Sequence, residues 1–361
     1  MPDHLSLASQ KFSELTQDQH VRLYPSFAYR DERAEDWRIP VTAFVYEHGQ
    51  DSVRQRVFLR LLQQVLQSDA KSLEDSDIFQ QRVRGFLEQP SRGRNVVMKF
   101  GEPCIEAAAR SRRSGQVRME FSLSHEAVPA ALRNSRDPRD EDCSGQQIRR
   151  QVSVAPGDER CISDHVRIIA PRGISVISDI DDTIKISQVA HRRQLLHNTF
   201  VNPFATVPGM SALYQQWQSE GAAFHYVSSS PWQLFDPLSE LLRENEFPEG
   251  SYHLRTYRFG DPSILRLFMA KKRNKYTIIK SIFRMFPKRR FILVGDSGEK
   301  DPEIYGKVAR KFPHQIERIL IRRVEGRAWT RERVAKAFRK VPRELWQAFR
   351  VPTQIDELRI Q

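Results

Sequence analysis

The chain has 361 residues, 39% of them hydrophobic and 10% aromatic, with a formal net charge of +13. That composition excludes a disordered chain, and the length holds two domains with at least one sizeable core. No apolar run approaches a membrane span, the opening MPDHLSLASQ carries no signal-peptide pattern, and the three cysteines, Cys104, Cys143 and Cys161, are too widely spaced for a zinc site; the expectation is a cytosolic protein able to touch a membrane surface.

In the first half, IPVTAFVYE (Ile39–Glu47) has the β-branched and aromatic content of a strand. Val53, Val57, Leu61 and Val65 recur at helical spacing within 51–68, and a shorter helix is predicted over 76–87. Strands are predicted near 95–100, 117–124 and 165–170, with a polar, turn-rich loop over 132–147. This half reads as a small β-rich domain with inserted helices, over 1–170, and holds no catalytic constellation. The second half alternates. Strands at 173–179, 223–228, 290–296 and 316–324 are separated by helices within 209–220, 231–245, 275–286 and 301–312. Strands apolar throughout and separated by helices predict a Rossmann-like parallel sheet buried on both faces, over 171–325, with ligands beyond the carboxyl ends of the strands. A basic helical tail is predicted over 326–361.

Charge divides unevenly between the halves. Residues 1–172 hold 26 basic and 25 acidic residues, whereas 173–361 hold 32 and 20; within 251–290 there are 12 basic residues and one acidic, Asp261. Such an excess implies an anionic partner: phosphate, a lipid headgroup or nucleic acid.

The first strand of the second half runs into SDIDDT, with Asp179, Asp181 and Thr183 at alternate positions. An Asp-rich turn can simply cap a helix or bond its own backbone, a bare D-x-D can hold a metal, and an aspartate nucleophile takes an acid/base aspartate beside it. Six residues do not decide between these; their company does. YVSSSP places Ser228 at the end of the second strand, Lys275 opens a helix, and FILVGDSGEKD places Asp296 at a strand end with Asp301 five residues on. Carboxylates gathered at one sheet edge repel and lose solvation. A bound divalent cation removes that cost, and a few hard oxygen ligands, with phosphate completing the shell, suit Mg²⁺.

This constellation resembles the haloacid-dehalogenase superfamily of aspartate-based phosphotransferases: D-x-D-x-T at 179–183, Ser228, Lys275, and G-D-x-x-x-x-D at 295–301. The longer wording, SDIDDTIK, PGM, YVSSSPW, FPEG, LR and GDSGEKDPEIY, is similar to the actin-patch-associated branch of phosphatidate phosphatases, over residues 174–324. The resemblance implies a haloacid-dehalogenase-like catalytic domain behind a small β-rich one. It implies Asp179 as nucleophile, forming an aspartyl-phosphate, and Asp181 as the acid and base of the two half-reactions. Mg²⁺ would be held by Asp179, Asp296 and the backbone carbonyl of Asp181. Ser228 and Lys275 would bind the phosphoryl oxygens, with Thr183 and Asp301 in support. Structural alternatives stand beside these roles. Asp182 reads as a first-turn helix residue and Thr183 as a loop-backbone partner; Ser229 and Ser230 rival Ser228, Lys280 rivals Lys275, and Asp301 could cap a helix. His191, His197 and His225 read as structural or exposed.

The substrate expectation, phosphatidate hydrolysed to diacylglycerol and phosphate, is implied by the resemblance. Residues 258–275 mix apolar and basic side chains in a way that suits an anionic membrane surface or an amphipathic core helix equally. The expected partner is therefore an anionic phospholipid, and the expected state a monomer. The alternatives are a phosphatase for soluble phosphoesters or phosphoproteins, and a non-catalytic basic module binding anionic lipid or nucleic acid. The complete set Asp179, Asp181, Ser228, Lys275 and Asp296 disfavours the latter.

Overall fold

The computed structural model describes residues 11–34, 36–48, 53–67, 70–101, 105–123, 147–256, 273–325, 329–356, 358 and 360. The chain forms two compact units, one from residues 1–50 with 87–171 and the other from 51–86 with 172–361.

The first unit is β-rich. Among the described residues its strands are β1 (Gln19–Leu23), β2 (Phe27–Arg30), β3 (Trp37–Glu47), β4 (Gln89–Pro90), β5 (Asn95–Phe100), β6 (Ile105–Arg110), β7 (Gln116–Leu123), β8 (Gln147–Val152) and β9 (Ser163–Ile168). They run in the order β1-β3-β2-β9-β8-β5-β6, with β4 and β7 also paired to β3. Strand β3 shows why: Trp37, Ile39, Val41, Ala43 and Val45 alternate into the core with Val96, Met98, Val117 and Val166. Arg150 is buried there. Arg150 donates through Nε to Asp164 (2.7 Å) and through Nη2 to the Tyr24 carbonyl (3.0 Å). The predicted strands at 39–47, 95–100, 117–124 and 165–170 correspond to β3, β5, β7 and β9, whereas the short or polar β1, β2, β4, β6 and β8 carry too little apolar alternation to be read. The predicted loop over 132–147 lies almost entirely outside the described residues.

The second unit is α/β. Strands β10 (Ile174–Ser178), β11 (Ala223–Pro231), β12 (Ser251–Arg255), β13 (Arg290–Asp296), β14 (Ile316–Arg322) and β15 (Trp346–Phe349) form a sheet in the order β12-β11-β10-β13-β14-β15. Every neighbouring pair is parallel. All five residues of β10 and the last six of β13 are buried, as a sheet covered on both faces requires. The strand order steps away from β10 to one side and from β13 to the other, so the gap between these two strands is the topological switch point, where such sheets bind ligands.

Helices α1 (Val53–Leu66), α2 (Ala70–Glu74), α3 (Asp77–Leu87), α4 (Arg192–Phe200), α5 (Met210–Ser219), α6 (Phe235–Glu244), α7 (Arg273–Met285), α8 (Asp301–Lys311) and α9 (Arg331–Ala337) complete the described helices. Two expectations change. The inserted helices, assigned to the first domain by their place in the chain, go with the second unit. Phe58 stacks on Phe86 (5.3 Å between centroids), Phe86 meets Phe200 (5.6 Å), and His197 Nε2 lies 3.0 Å from the Leu66 carbonyl oxygen. Gly85 lets α3 approach the turn after β11, since a Cβ there would sit 2.2 Å from the Gln233 carbonyl oxygen. The tail is not a helical appendage. After α9 it adds β15 to the edge of the sheet, with Phe338 stacked on Trp346 at 4.5 Å. Residues 257–272, most of the mixed apolar and basic stretch, lie outside the described residues. Among those described, no helix is long and apolar enough to cross a membrane.

Candidate active site

The carboxyl ends of β10 and β13 bring Asp179 and Asp296 together. Asp179 follows β10 directly and its N–H donates to the Val294 carbonyl (2.9 Å), which locks it beside β13. Behind it, Tyr214 and Ser178 hydroxyls lie 2.8 Å apart and Ser178 Oγ donates to the Asp179 carbonyl (2.6 Å), fixing the backbone. Asp301 opens α8 and joins them; ligand atoms of Asp179, Asp296 and Asp301 all lie within 4.8 Å of one another, and all three side chains are buried. Gly295 makes this approach possible. A Cβ at that position would lie 2.3 Å from Asp301 Oδ2 and 2.7 Å from the Tyr305 ring.

The three carboxylates are not equivalent. Asp301 is committed: Oδ1 accepts from Lys275 Nζ (2.5 Å) and Oδ2 from the Asp296 N–H (3.3 Å). Asp296 Oδ1 accepts from the N–H groups of Gly298 (2.5 Å) and Glu299 (2.9 Å), while Oδ2 is buried without a hydrogen-bond partner. Neither oxygen of Asp179 accepts a hydrogen bond, although Lys275 Nζ lies 3.2 Å from Oδ1. Burial pushes Asp179 well above the ordinary carboxylate range; Lys275 opposes it, and Asp301, Glu299 and Asp296 add to it. Burial likewise raises Asp296, with Asp301 and Glu299 reinforcing it. Lys275 is raised too, for the opposite reason: burial would lower it, but Asp179 and Asp301 more than offset that and hold it protonated. Three oxygens left unbonded in a buried, carboxylate-rich pocket are what a hard divalent cation would satisfy. The donor set therefore fits such an ion.

Asp181 faces a different environment. Its Oδ1 accepts from Lys185 Nζ (3.1 Å) and Ser187 Oγ (2.6 Å), and its Oδ2 from Ser228 Oγ (3.1 Å) and Ser230 Oγ (2.7 Å). Burial alone would raise this carboxyl; Lys185 and the hydroxyls more than offset it and leave it at about 2. Lys185 is itself buried, with Nζ also on Ser187 Oγ (2.5 Å) and 4.6 Å from the centroid of Phe204. The same ring takes the guanidinium of Arg82 from α3, with Cζ 3.1 Å from the centroid. Arg82 is only 6% exposed, its Nε and Nη1 lack hydrogen-bond partners, and burial lowers it to about 10.

The structure thus brings Asp179, Lys275, Asp296 and Asp301 into one cluster, and Asp181 and Ser228 into an adjoining one. Several sequence expectations are corrected. Strand β11 runs on to Pro231, so Ser228 does not end it, and Ser230 shares Asp181 with it while Ser229 Oγ turns to Glu299 Oε2 (3.4 Å). Asp182 is not in a helix. It adopts φ +54° in a loop, where its carboxylate accepts the N–H groups of Ser187 (2.8 Å), Gln188 (2.7 Å) and Val189 (2.7 Å). Thr183 donates its N–H to the Ile180 carbonyl (3.3 Å), but its buried Oγ1 has no hydrogen-bond partner among the described residues. Asp301 does not cap α8, being turned to Lys275 and the Asp296 N–H. His225 is buried, 2.7 Å from Ser251 Oγ.

Sequence reasoning missed Lys185, Ser187 and Glu299. Lys185 had a signal: a lysine six residues beyond a buried strand end, inside SDIDDTIK, needs a carboxylate partner if the loop is buried.

Residues 174–323 match the family model described as phosphatidate phosphatase APP1, catalytic domain. Phosphatidate phosphatase APP1 of Saccharomyces cerevisiae is 39% identical over 158 residues, which is 43% of this chain and 26% of that protein. The uncharacterized protein C29B5.04c of Schizosaccharomyces pombe is 34% identical over 163 residues, 44% of this chain and 26% of that protein. The matched region spans about a quarter of the length of these curated relatives.

Proposed function

We propose that residues 174–323, which belong to the phosphatidate phosphatase APP1 catalytic-domain family, make this chain a Mg²⁺-dependent phosphatidate phosphatase of haloacid-dehalogenase type, releasing diacylglycerol and phosphate at an anionic phospholipid surface. The observation that carries this reading is Asp179: a buried carboxylate at the switch point, neither oxygen hydrogen-bonded, beside a protonated lysine.

A carboxylate freed of hydrogen bonds is a competent nucleophile toward phosphorus, and forming an aspartyl-phosphate on Asp179 divides one hard displacement into two easier ones. Lys275, already between Asp179 and Asp301, offsets charge on the phosphoryl oxygens as they approach Asp179. Ser228 and Ser230 are the natural donors to those oxygens, and turning to them releases two of the four donors on Asp181. With half its donors gone, Asp181 becomes basic enough to carry a proton to the leaving alkoxide and later to take one from the attacking water. Mg²⁺, held by Asp179, Asp296 and the Asp181 backbone carbonyl, would neutralise charge developing on the transferring group. Asp301 would keep Lys275 in place.

The test is a panel of phosphoesters, phosphatidate in mixed vesicles among them, assayed with Mg²⁺ and with chelator. Phosphate release from phosphatidate that chelator abolishes is expected. The Asp179→Asn protein should keep its fold and lose turnover by at least about a thousandfold, since the amide does not attack phosphorus. Parent-like turnover in Asp179→Asn would end the nucleophile assignment. Rapid turnover of soluble esters alone would end the lipid assignment.

A further inference from the structure

The turn after Asp296 is held by a residue outside the family match, Arg333. That turn, residues 297–299, is gripped from both sides. On the inner side, the N–H groups of Gly298 (2.5 Å) and Glu299 (2.9 Å) hold Asp296 Oδ1. On the outer side, Arg333 of α9 donates through Nη1 to the Ser297 carbonyl (2.6 Å) and through Nη2 to the Glu299 carbonyl (2.7 Å). Its Nε and Nη2 are braced by Glu303 of α8, at 3.0 and 3.2 Å.

The Ser297 carbonyl and the Gly298 N–H are two ends of one peptide group. Arg333 therefore polarises and immobilises the same peptide that locks Asp296 Oδ1, and hydrogen bonds in series strengthen one another. The turn has no slack for another arrangement. Ser297 N–H donates to the Arg322 carbonyl (2.9 Å), the Val324 N–H donates to Ser297 Oγ (3.0 Å), and a Cβ at Gly298 would lie 2.9 Å from Asp296 Oδ1. With Oδ1 held, Oδ2 is the Asp296 oxygen left buried and unbonded, and Asp296 offers a carboxylate oxygen within 4.8 Å of those of Asp179 and Asp301. A planar, five-donor guanidinium can hold two carbonyls and a carboxylate together; an ammonium cannot.

Docking of the tail does not account for this arrangement. The tail has its own anchors: Arg310 Nη1 donates to the Ala337 (2.9 Å) and Arg339 (3.0 Å) carbonyls, Phe338 stacks on Trp346, and β15 pairs with β14. The two carbonyls that Arg333 takes belong to the turn after Asp296.

From this geometry we infer that Arg333 is a positioning residue for divalent-cation binding: through the 297–299 turn it fixes Asp296 so that Oδ2 faces the cation site. The inference rests on the proposed metal-dependent reading of that site and adds to it a residue from the C-terminal segment.

The test is direct binding of Mn²⁺, as a probe for the site, to the full chain by titration calorimetry and by the electron paramagnetic resonance of free Mn²⁺. Four proteins are compared: the parent, Arg333→Ala, Arg333→Lys and Trp346→Leu. Loss of a residue that orients a metal ligand typically costs ten- to a hundredfold in affinity. Arg333→Ala is therefore expected to raise the Kd at least about tenfold, and Arg333→Lys to fall between it and the parent, because one ammonium replaces only part of the clamp. Trp346→Leu should lower the Tm and leave the Kd unchanged. In turnover assays the Mn²⁺ concentration for half-activation should rise in Arg333→Ala while kcat at saturating Mn²⁺ stays within a few-fold of the parent. A parent-like Kd in Arg333→Ala, or equal weakening in Trp346→Leu, overturns the inference. Absence of saturable Mn²⁺ binding by the parent overturns the metal reading itself, a result told apart by needing no variant at all.

Discussion

Replacing Lys185 by methionine keeps most of the side-chain volume and removes the one cation bonded to Asp181 among the described residues. Burial alone would raise that carboxyl above its ordinary 3.8, yet the site holds it at about 2, with Lys185 the largest opposing influence. At 1.36 kcal/mol per pKa unit, the net preference for the ionised folded state is about 2 kcal/mol at neutral pH. Methionine forfeits that and strands a buried carboxylate with three hydroxyls, Ser187, Ser228 and Ser230. Removing one partner of a buried pair costs about 3–5 kcal/mol. A loss of about 3 kcal/mol at pH 7 is expected, measured by urea titration followed by circular dichroism. Charge is the cause only if removing the second charge repairs part of the damage. The double variant Lys185→Met with Asp181→Asn should be more stable than Lys185→Met alone, with a coupling energy of about 2 kcal/mol in the double-mutant cycle. A loss under about 0.5 kcal/mol, or strictly additive single effects, would refute this account of the loop.

Two further outcomes are expected. Gly295→Ala puts a Cβ 2.3 Å from Asp301 Oδ2, so Asp301 must leave Lys275 or the Asp296 N–H; a stability loss of about 1–3 kcal/mol with weakened Mn²⁺ binding follows, and unchanged Tm and Kd would show that the approach of α8 to β13 is not tight. Burial lowers His253 to about 4, where its Nε2 lies 2.9 Å from Ser251 Oγ. The folded pKa is below the unfolded one, so the unfolded chain binds the proton first; the contribution is full above pH 6.5 and is lost as pH falls through about 4. Between pH 7 and 5 the parent should lose up to about 2 kcal/mol from this group, and His253→Gln should flatten the slope by that amount; identical pH profiles for the two would remove His253 as the source.

What the sequence made legible followed from burial on both faces. Strands β10 and β13 are nearly uninterrupted apolar runs, so their parallel pairing and the carboxylates at their ends could be placed by pattern alone. Strand β12 could not, because in SYHLR only Ser251 and Leu254 are fully buried while Tyr252 and His253 are partly so, which leaves no apolar alternation to read. Helix α4, RRQLLHNTF, is mostly polar and carries little helical periodicity. The helices of 53–87 were readable as helices, but their allegiance depends on Phe200 and Phe204, which no local pattern connects to them. The cluster of Asp179, Lys275, Asp296 and Asp301 was anticipated by motif order. Ser187 and Arg333 carry no such mark: each acts through a contact made by a loop or a distant helix, and residue type alone does not reveal what it will touch.

The path of the chain through the two units has a consequence for how this molecule is made. Residues 51–86 leave the ribosome long before β10 to β15, which they must join, and the strands of the first unit wait for residues 87–171 to complete their sheet. Neither unit can close early, so Phe86 spends synthesis without Phe200, the ring it later meets, the circumstance in which nascent chains recruit chaperones or associate with one another. The same path sets the limits of dissection. A fragment beginning at residue 172 contains every matched residue and every carboxylate of the site, yet it uncovers Phe200 and takes Arg82 from Phe204, leaving an apolar face where α1 and α3 belong. The smallest autonomous piece of this protein is therefore longer than its recognisable catalytic segment.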